Sequence, residues 1–256
     1  MIRLCALGSG SSGNCVYVGN GGSALLLDAG FSGKEISSRL KTAGIDAESI
    51  RGVVVSHEHS DHVKGVGVIA RVLKIPVYVN EKTYQRIKKH MGKVPDVVRF
   101  NTGEPFEAAG IEVAPFSIPH DAADPCAFIF RSGEAKVAVV TDAGSETTLI
   151  EEKLLQADYI MIEANHDVEM LKAGPYPWPV KQRIASQTGH LSNEACAGLL
   201  GKVAGADLQG VMFAHLSTTN NNPDLVRLMA GQILQDAGIP HIVAEQNNPS
   251  AMVYVE

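Results

Sequence analysis

Apolar and polar positions alternate along this chain in short β-rich runs, broken by turn residues and interleaved with stretches of helical period. Ile2–Leu7, Cys15–Val18 and Ala24–Asp28 are predicted strands, separated by the Gly/Ser/Asn loops Gly8–Asn14 and Gly19–Ser23. Gly33 to Ala43 is a predicted helix with Gly44 at its C-terminal end. The apolar strand Gly52–Val55 follows and runs directly into a histidine loop. Further strands are predicted at Pro76–Val79, Ile111–Phe116, Cys126–Phe130, Lys136–Val140, Asp158–Ile162, Gly210–Ala214, His241–Glu245 and Ala251–Val255. Helical stretches fit Val63–Lys74, Glu81–His90, Thr147–Gln156, Ser192–Val203 and Pro223–Ala237, the last with Asn222 as N-cap and Pro223 at its first position. This mixture predicts an α/β (α+β) arrangement of two sheets with helices packed outside them. No linker is visible, so one domain is expected over residues 1–256.

Composition narrows the class. Apolar residues at 45% and charged residues at 20% describe an ordinary soluble globular protein. No apolar run reaches the roughly 18 residues of a transmembrane helix. The segment Met1 to Gly10 lacks the basic and apolar regions of a signal peptide. The four cysteines (Cys5, Cys15, Cys126, Cys196) have no metal-finger or CxxC spacing, and reduced thiols in the cytoplasm are expected. A pairing of Cys5 with Cys15 across an N-terminal hairpin stays open. The net charge of −6 argues against a broadly basic surface. It does not exclude a nucleic-acid substrate, because two divalent cations would make a site positive whatever the charge of the chain.

The chemistry concentrates in His57-Glu58-His59-Ser60-Asp61-His62. In an extended segment His57 and His59 point to the same side and can reach one cation. The turn that follows lets Asp61 and His62 address a second one. Imidazole plus carboxylate suits Zn, Mn or Fe without choosing among them. Two metals need more ligands, and His120, Asp142 and His215 each follow an apolar strand. Asp142 can bridge two cations at the ~3.5–4 Å spacing of two-metal hydrolases. His190, just before a helix, is a proton donor, a seventh ligand or a cap. His166, in Glu163-Ala164-Asn165-His166-Asp167, is either a further site residue or part of a polar helix start. His90 and His241 are expected to be surface or structural.

Taken together, these residues resemble the metallo-β-lactamase superfamily over essentially the whole chain. The resemblance implies a four-layer αβ/βα sandwich with the site at one edge. His57, His59 and His120 would hold one metal, Asp61, His62 and His215 the other, with Asp142 between. The opening Leu7–Asn14 and the segments Pro119–Ala122, Glu163–Asp167, Gly189–Asn193 and His215–Asn221 are similar to the YycJ/WalJ branch. That branch is DNA exonuclease-like and related to tRNase Z and the phosphodiesterase PhnP, and the His190 segment resembles a catalytic motif of tRNase Z. No flexible tRNA-gripping arm and no long β-CASP insertion is apparent.

The function expected is phosphodiester hydrolysis, of nucleic acid or another phosphodiester, with two divalent metal ions (Zn, Mn or Fe). Asp61 and Asp142 would orient the nucleophile, His190 would protonate the leaving oxygen, and His166 is a further catalytic candidate. Two alternatives remain: a carbonyl-directed hydrolase of the lactamase or thioesterase type, and a metal-binding regulatory protein.

Overall fold

The computed structural model describes residues 1–256 except Ala206 and Asp236. The chain begins with β1 (Ile2–Gly8), β2 (Cys15–Gly19) and β3 (Ala24–Leu27), then α1 (Gly33–Thr42), β4 (Ile50–Val54), α2 (Ser60–Val63) and α3 (Val66–Leu73). It continues through β5 (Val77–Asn80), α4 (Glu81–Met91), β6 (Val97–Phe100), β7 (Phe106–Ala108), β8 (Ile111–Ser117), β9 (Cys126–Ser132) and β10 (Ala135–Val140). The remaining elements are α5 (Thr148–Leu154), β11 (Tyr159–Glu163), α6 (Val168–Ala173), α7 (Trp178–Ile184), α8 (Asn193–Val203), β12 (Gly210–Ala214), α9 (Pro223–Leu234), β13 (His241–Val243) and β14 (Val253–Val255).

Among the described residues these strands form two seven-stranded sheets, ordered β14-β1-β2-β3-β4-β5-β6 and β13-β12-β11-β10-β9-β8-β7. Inward-facing side chains of both sheets make the central core, with Leu4, Val16, Leu25 and Val54 from one and Phe128, Val137, Met161 and Met212 from the other. A second cluster seals α1, α3 and α4 onto the outer face of the first sheet. A third seals α5, α8 and α9 onto the second. The result is the expected αβ/βα sandwich. Segments buried on both faces read as unbroken apolar runs, as in Gly52–Val54 of β4, Val137–Val140 of β10, Tyr159–Ile162 of β11 and all of β12. Helix starts are fixed by side-chain caps, for example Ser32, Asn80, Thr147 and Ser192, each accepting a backbone N–H of the first turn.

Parallel pairing decides where the site lies. β3, β4, β5 and β6 run parallel in the first sheet, and β10 to β13 in the second. β8 is antiparallel to β9, which is antiparallel to β10, so β8 and β10 share a direction. The C-terminal ends of β3, β4, β8, β10, β11 and β12 can therefore deliver side chains to one edge.

Several elements differ from the sequence expectation. The predicted helix Val63–Lys74 breaks at Gly65, whose N–H bonds Ala29 O at 2.7 Å; a Cβ there would lie 2.0 Å from Phe31 O. β6 and β7 are short strands that their sequences did not signal. α6 and α7 fold within a Gly/Pro-punctuated stretch that had no prediction. The helix predicted as Pro223–Ala237 is helical to Leu234, and its continuation passes through Asp236, outside the described residues. The first hairpin pairs Cys5 with Tyr17 and Cys15 with Gly8, so the two thiols do not face each other, and all four cysteines are buried and free.

Candidate metal centre

Three of the loops that leave these strands begin in a strained conformation. Asp28 after β3, Asp142 after β10 and His215 after β12 have φ of 60°, 60° and 56°. Left-handed backbone at residues other than glycine costs on the order of 1–3 kcal/mol each and persists where packing enforces it. Here the sharp turn aims each side chain across the sheet edge instead of along the strand.

The loop after β4 carries His57, Glu58 and His59, and the short helix α2 that follows carries Asp61 and His62. His57 and His62 are buried, with ring centroids 4.1 Å apart. His59 approaches His57 to 4.7 Å between centroids, and His59 Nδ1 lies 3.2 Å from His120 Nε2. On the other side, His62 Nε2 is 3.3 Å from Asp142 Oδ2 and 3.4 Å from Asp61 Oδ2, and His215 Nε2 is 3.6 Å from Asp61 Oδ2. Thus His57, His59, Asp61, His62, His120, Asp142 and His215 come together at one edge, with His190 beside them. Gly30 lets the first-sheet backbone pass beneath this loop, since a Cβ there would strike Asp61 O at 1.6 Å.

The rings are oriented by partners on Nδ1 that turn Nε2 toward the centre, where His62 Nε2 also meets Asn14 Nδ2 at 3.1 Å. His57 Nδ1 is 2.9 Å from Ser56 Oγ, which itself donates to Asp28 Oδ2. His62 Nδ1 donates to Asp28 Oδ2 at 2.7 Å, His120 Nδ1 to Gly189 O at 3.0 Å, and His215 Nδ1 to Glu163 Oε1 at 2.8 Å. With Nδ1 engaged, each Nε2 faces the centre, the arrangement by which outer partners fix metal-binding histidines. His57 Nε2, His215 Nε2 and Asp142 Oδ2 are buried with no hydrogen-bond partner among the described residues. Orphaned buried acceptors are costly and call for an explanation. Divalent cations fit them: donor atoms within 4.8 Å of one another come from His57, His59 and His120, from His57, His62 and Asp142, and from Asp61, His62 and His215.

Electrostatics agrees with this reading. Burial and the neighbouring His62, His120 and His59 hold the His57 pKa well below the ordinary value, so its lone pair is available. Burial would raise the Asp61 carboxyl, but His62 and His215 outweigh it and keep the group ionised. The opening loop supports both: Asn14 Nδ2 donates to Asp61 Oδ2 at 3.2 Å, Asn14 Oδ1 accepts from Ser9 Oγ, and Ser9 Oγ accepts the His215 N–H at 2.9 Å.

Glu163, fully buried at the end of β11, joins the remaining histidines. Its Oε1 accepts from His190 Nδ1 and His215 Nδ1, both at 2.8 Å, and its Oε2 accepts the backbone N–H of Ala143 and Leu191. Burial opposes its charge, but His190 and His215 hold its pKa well below the carboxylate range. Burial likewise depresses His190, yet Glu163 prevails and raises it. His190 lines a cavity of about 390 Å³ together with His59, Asp61, Asp142, His215, Asn165 and Tyr176.

His166 is not brought to this cavity. Side chains alternate in direction past the end of β11, so Glu163 and Asn165 face the site and His166 faces away, into a separate cavity under α7. The sequence reading passed over Glu163 and Asp28, although each stands at the end of a buried strand and was open to the same argument as Asp142. Asn14 stood in the opening loop that carries the family resemblance but was given no role, and nothing in the local sequence pointed to Ser56.

Residues 24–213 match the family described as the beta-lactamase superfamily domain. The chain is 39% identical over 239 residues to the exodeoxyribonuclease YycJ of Bacillus anthracis, covering 93% of this chain and 90% of that one. It is 38% identical over 244 residues to the exodeoxyribonuclease WalJ of Streptococcus pneumoniae, covering 93% and 91%. In three dimensions it is similar to the metallo-beta-lactamase fold protein YhfI of Bacillus subtilis, with a TM-score of 0.75 at 17% identity over 97% of this chain and 98% of that one.

Proposed function

Since the chain belongs to the beta-lactamase superfamily, we propose that its histidine- and carboxylate-lined cavity hydrolyses the phosphodiester bonds of DNA, as an exonuclease using two divalent cations. It is a metal-dependent hydrolase of phosphodiester bonds. The observation that carries the reading is three buried polar atoms with no partner among the described residues, His57 Nε2, His215 Nε2 and Asp142 Oδ2, at a cavity that Asp142, His190 and His215 line. His57, His59 and His120 would hold one cation, Asp61, His62 and His215 the other, and Asp142 would be shared. Zn, Mn and Fe all suit this sulfur-free set.

Such cations, when bound, polarise a phosphoryl oxygen and bring the pKa of water toward neutrality. The protein's own part is to orient and to transfer protons. Asp61, fixed by Asn14, presents a carboxylate oxygen that orients the attacking water. His190 donates its Nδ1–H to Glu163, which leaves Nε2 to face the cavity, and the Glu163 carboxylate raises its pKa above the ordinary value, favouring the protonated form. Transfer of that proton to the departing alkoxide is general acid catalysis, worth about 10²- to 10⁴-fold.

A nucleic-acid substrate is supported by how the cations are distributed. Overall the chain is acidic, but exposed cations of α4 line two cavities, Arg86 with Lys64 in one and Lys88 and Lys89 with Lys93 in the other. A cavity containing Lys64, Arg86 and His90 meets the catalytic one at Ser60. Among the described residues no helix is long and apolar enough to cross a membrane. The four buried free thiols fit a reducing compartment, so we place the protein in the cytoplasm.

The test is protein reconstituted with Mn, Zn or Fe and assayed together on end-labelled DNA, end-labelled RNA, bis-p-nitrophenyl phosphate and nitrocefin. DNA shortened from its ends and cleavage of the phosphodiester are expected, with nitrocefin spared. Turnover of nitrocefin without phosphodiester cleavage overturns the reading in favour of carbonyl chemistry.

A further inference from the structure

Among the described residues that line the catalytic cavity, Arg183 of α7 is the one lysine or arginine. Its Nε is paired with Asp121 Oδ2 at 2.8 Å, and the other oxygen of that carboxylate, Oδ1, lies 3.5 Å from His120 Nε2 and 3.8 Å from His59 Nε2. Asp121 thus stands between the guanidinium and two of the ligand histidines, and sets Arg183 back from them by the width of a carboxylate. A guanidinium has five N–H donors in a rigid plane, so a pair made through Nε leaves those of the two terminal nitrogens for another acceptor. The backbone around it is closely tied. The His190 N–H bonds Ile184 O at 3.0 Å, the Gly189 N–H bonds Ser186 O at 2.9 Å, and the Asp121 N–H bonds Thr188 O at 3.0 Å. A Cβ at Gly189 would lie 2.3 Å from Arg183 O, so the turn after α7 closes this tightly only on a glycine. The backbone that carries Arg183 is therefore fixed relative to Asp121 and His190, while its side chain stays 64% exposed.

We propose that Arg183 grips the phosphate next to the scissile one, so that the site reads two successive phosphates and selects a polynucleotide over an isolated diester. The inference rests on the phosphodiesterase reading above and names the residue that sets its substrate class. Position separates the two phosphates. Charge on the scissile one would be met at the ligand residues, whereas Arg183 stands outside them, at the wall of the same cavity. Size agrees, because a cavity of about 390 Å³ has the dimensions of a small-ligand site and holds more than one phosphoryl group. Chemistry agrees as well. A planar fork braced on one edge by a carboxylate presents its remaining donors with little further ordering, and their spacing matches two oxygens of a phosphate. The neighbouring phosphate is either the monoester that terminates the strand or the next diester inward. Both offer the same oxygens to a guanidinium, and the choice of substrate distinguishes them.

The metal-loaded enzyme is assayed for removal of the first nucleotide from three DNAs labelled on an internal base. One carries terminal phosphates, one has in addition an uncharged methylphosphonate at the second linkage from each end, and one has its terminal phosphates removed. A hydrogen-bonded contact to a charged group is worth about 10- to 150-fold, so kcat/KM of the parent should fall by that factor on at least one altered DNA. Loss on the methylphosphonate identifies the inner diester, and loss on the dephosphorylated DNA identifies the terminal monoester. Arg183→Ala should lose the same factor on the unaltered DNA and nothing further on the altered one. The contact is present before and during the reaction, so the loss should fall on KM more than on kcat. Arg183→Lys, which keeps the charge without the fork, should recover part of it. The side chain is largely exposed, so both variants should fold, with metal content read by elemental analysis as the control. If Arg183 serves only to fasten α7 to Asp121, its loss reduces cleavage of charged and neutral DNAs by the same factor, and that outcome overturns the proposal. A parent enzyme indifferent to both alterations also overturns it, without recourse to any variant. An enzyme that cleaves neither DNA nor bis-p-nitrophenyl phosphate removes the phosphodiesterase reading itself, and the clamp with it.

Discussion

Glu163→Gln removes one charge and changes no volume, yet it should be among the most damaging single substitutions in the molecule. All four hydrogen bonds to this buried carboxylate come from donors: two imidazole Nδ1–H groups on Oε1 and two backbone N–H groups, of Ala143 and Leu191, on Oε2. An amide has only one accepting end. If its oxygen faces the imidazoles, the NH2 meets two backbone donors that have no other partner, at about 1–3 kcal/mol each. If it faces the backbone, His215 and His190 must move their protons from Nδ1 to Nε2. His215 then loses the lone pair that would hold a cation, and His190 loses the carboxylate that raises its pKa. Replacing a partner of this kind costs about 10- to 100-fold in metal affinity or activity. The assay pairs competition against a fluorescent chelator with thermal unfolding in the presence and absence of metal. We expect metal affinity to fall in that range and metal-induced stabilisation to shrink. A variant that binds metal within threefold of the parent and unfolds at the same temperature would refute the role assigned to Glu163.

Other outcomes follow from the same geometry. His190→Ala should retain both metals and lose about 10²- to 10⁴-fold on DNA but far less on bis-p-nitrophenyl phosphate, whose leaving group needs little protonation; His215→Ala should lose a metal and fail on both. Metal loss from His190→Ala, read by elemental analysis, would make that histidine a ligand. In the stripped protein, burial pulls the His215 pKa down, but Asp142, Asp61 and Glu163 outweigh it and push it up to about 10 from an ordinary 6.5. A raised folded-state pKa stabilises fully below the unfolded value, and the benefit fades as pH rises through the folded one. The apo-protein should therefore melt at progressively lower temperature from about pH 6.5 toward 10, and a flat profile there would contradict the assignment. Finally, Arg86→Ala should weaken DNA binding and reduce the log–log salt slope by about 0.7 for a single strand; an unchanged slope would remove α4 from the binding surface.

Sequence alone determined the ligand loop and most of the strands that aim at the site. His57, His59, Asp61 and His62 were legible as candidate ligands because a metal pair would demand donors at fixed local spacing. His120, Asp142 and His215 were legible because an apolar strand that ends on a ligand-type residue leaves it at a sheet edge. The two layers of sheet were legible in the apolar runs, since burial on both faces erases alternation. What the tertiary structure decided is convergence and side. Glu163 and His166 lie three residues apart in one motif, and only the direction of the chain after β11 sends one to the metal centre and the other beneath α7. Asp28, Asn14 and Ser56 matter through partners far away in sequence, as in the 2.7 Å bond from His62 to Asp28 across 34 residues. α6 and α7 were not predicted from the sequence; they pack around one small cavity, and α7 alone also lines the catalytic one. Local pattern reports what a segment buries, whereas the partner of a buried polar atom is fixed only when separate strand ends meet.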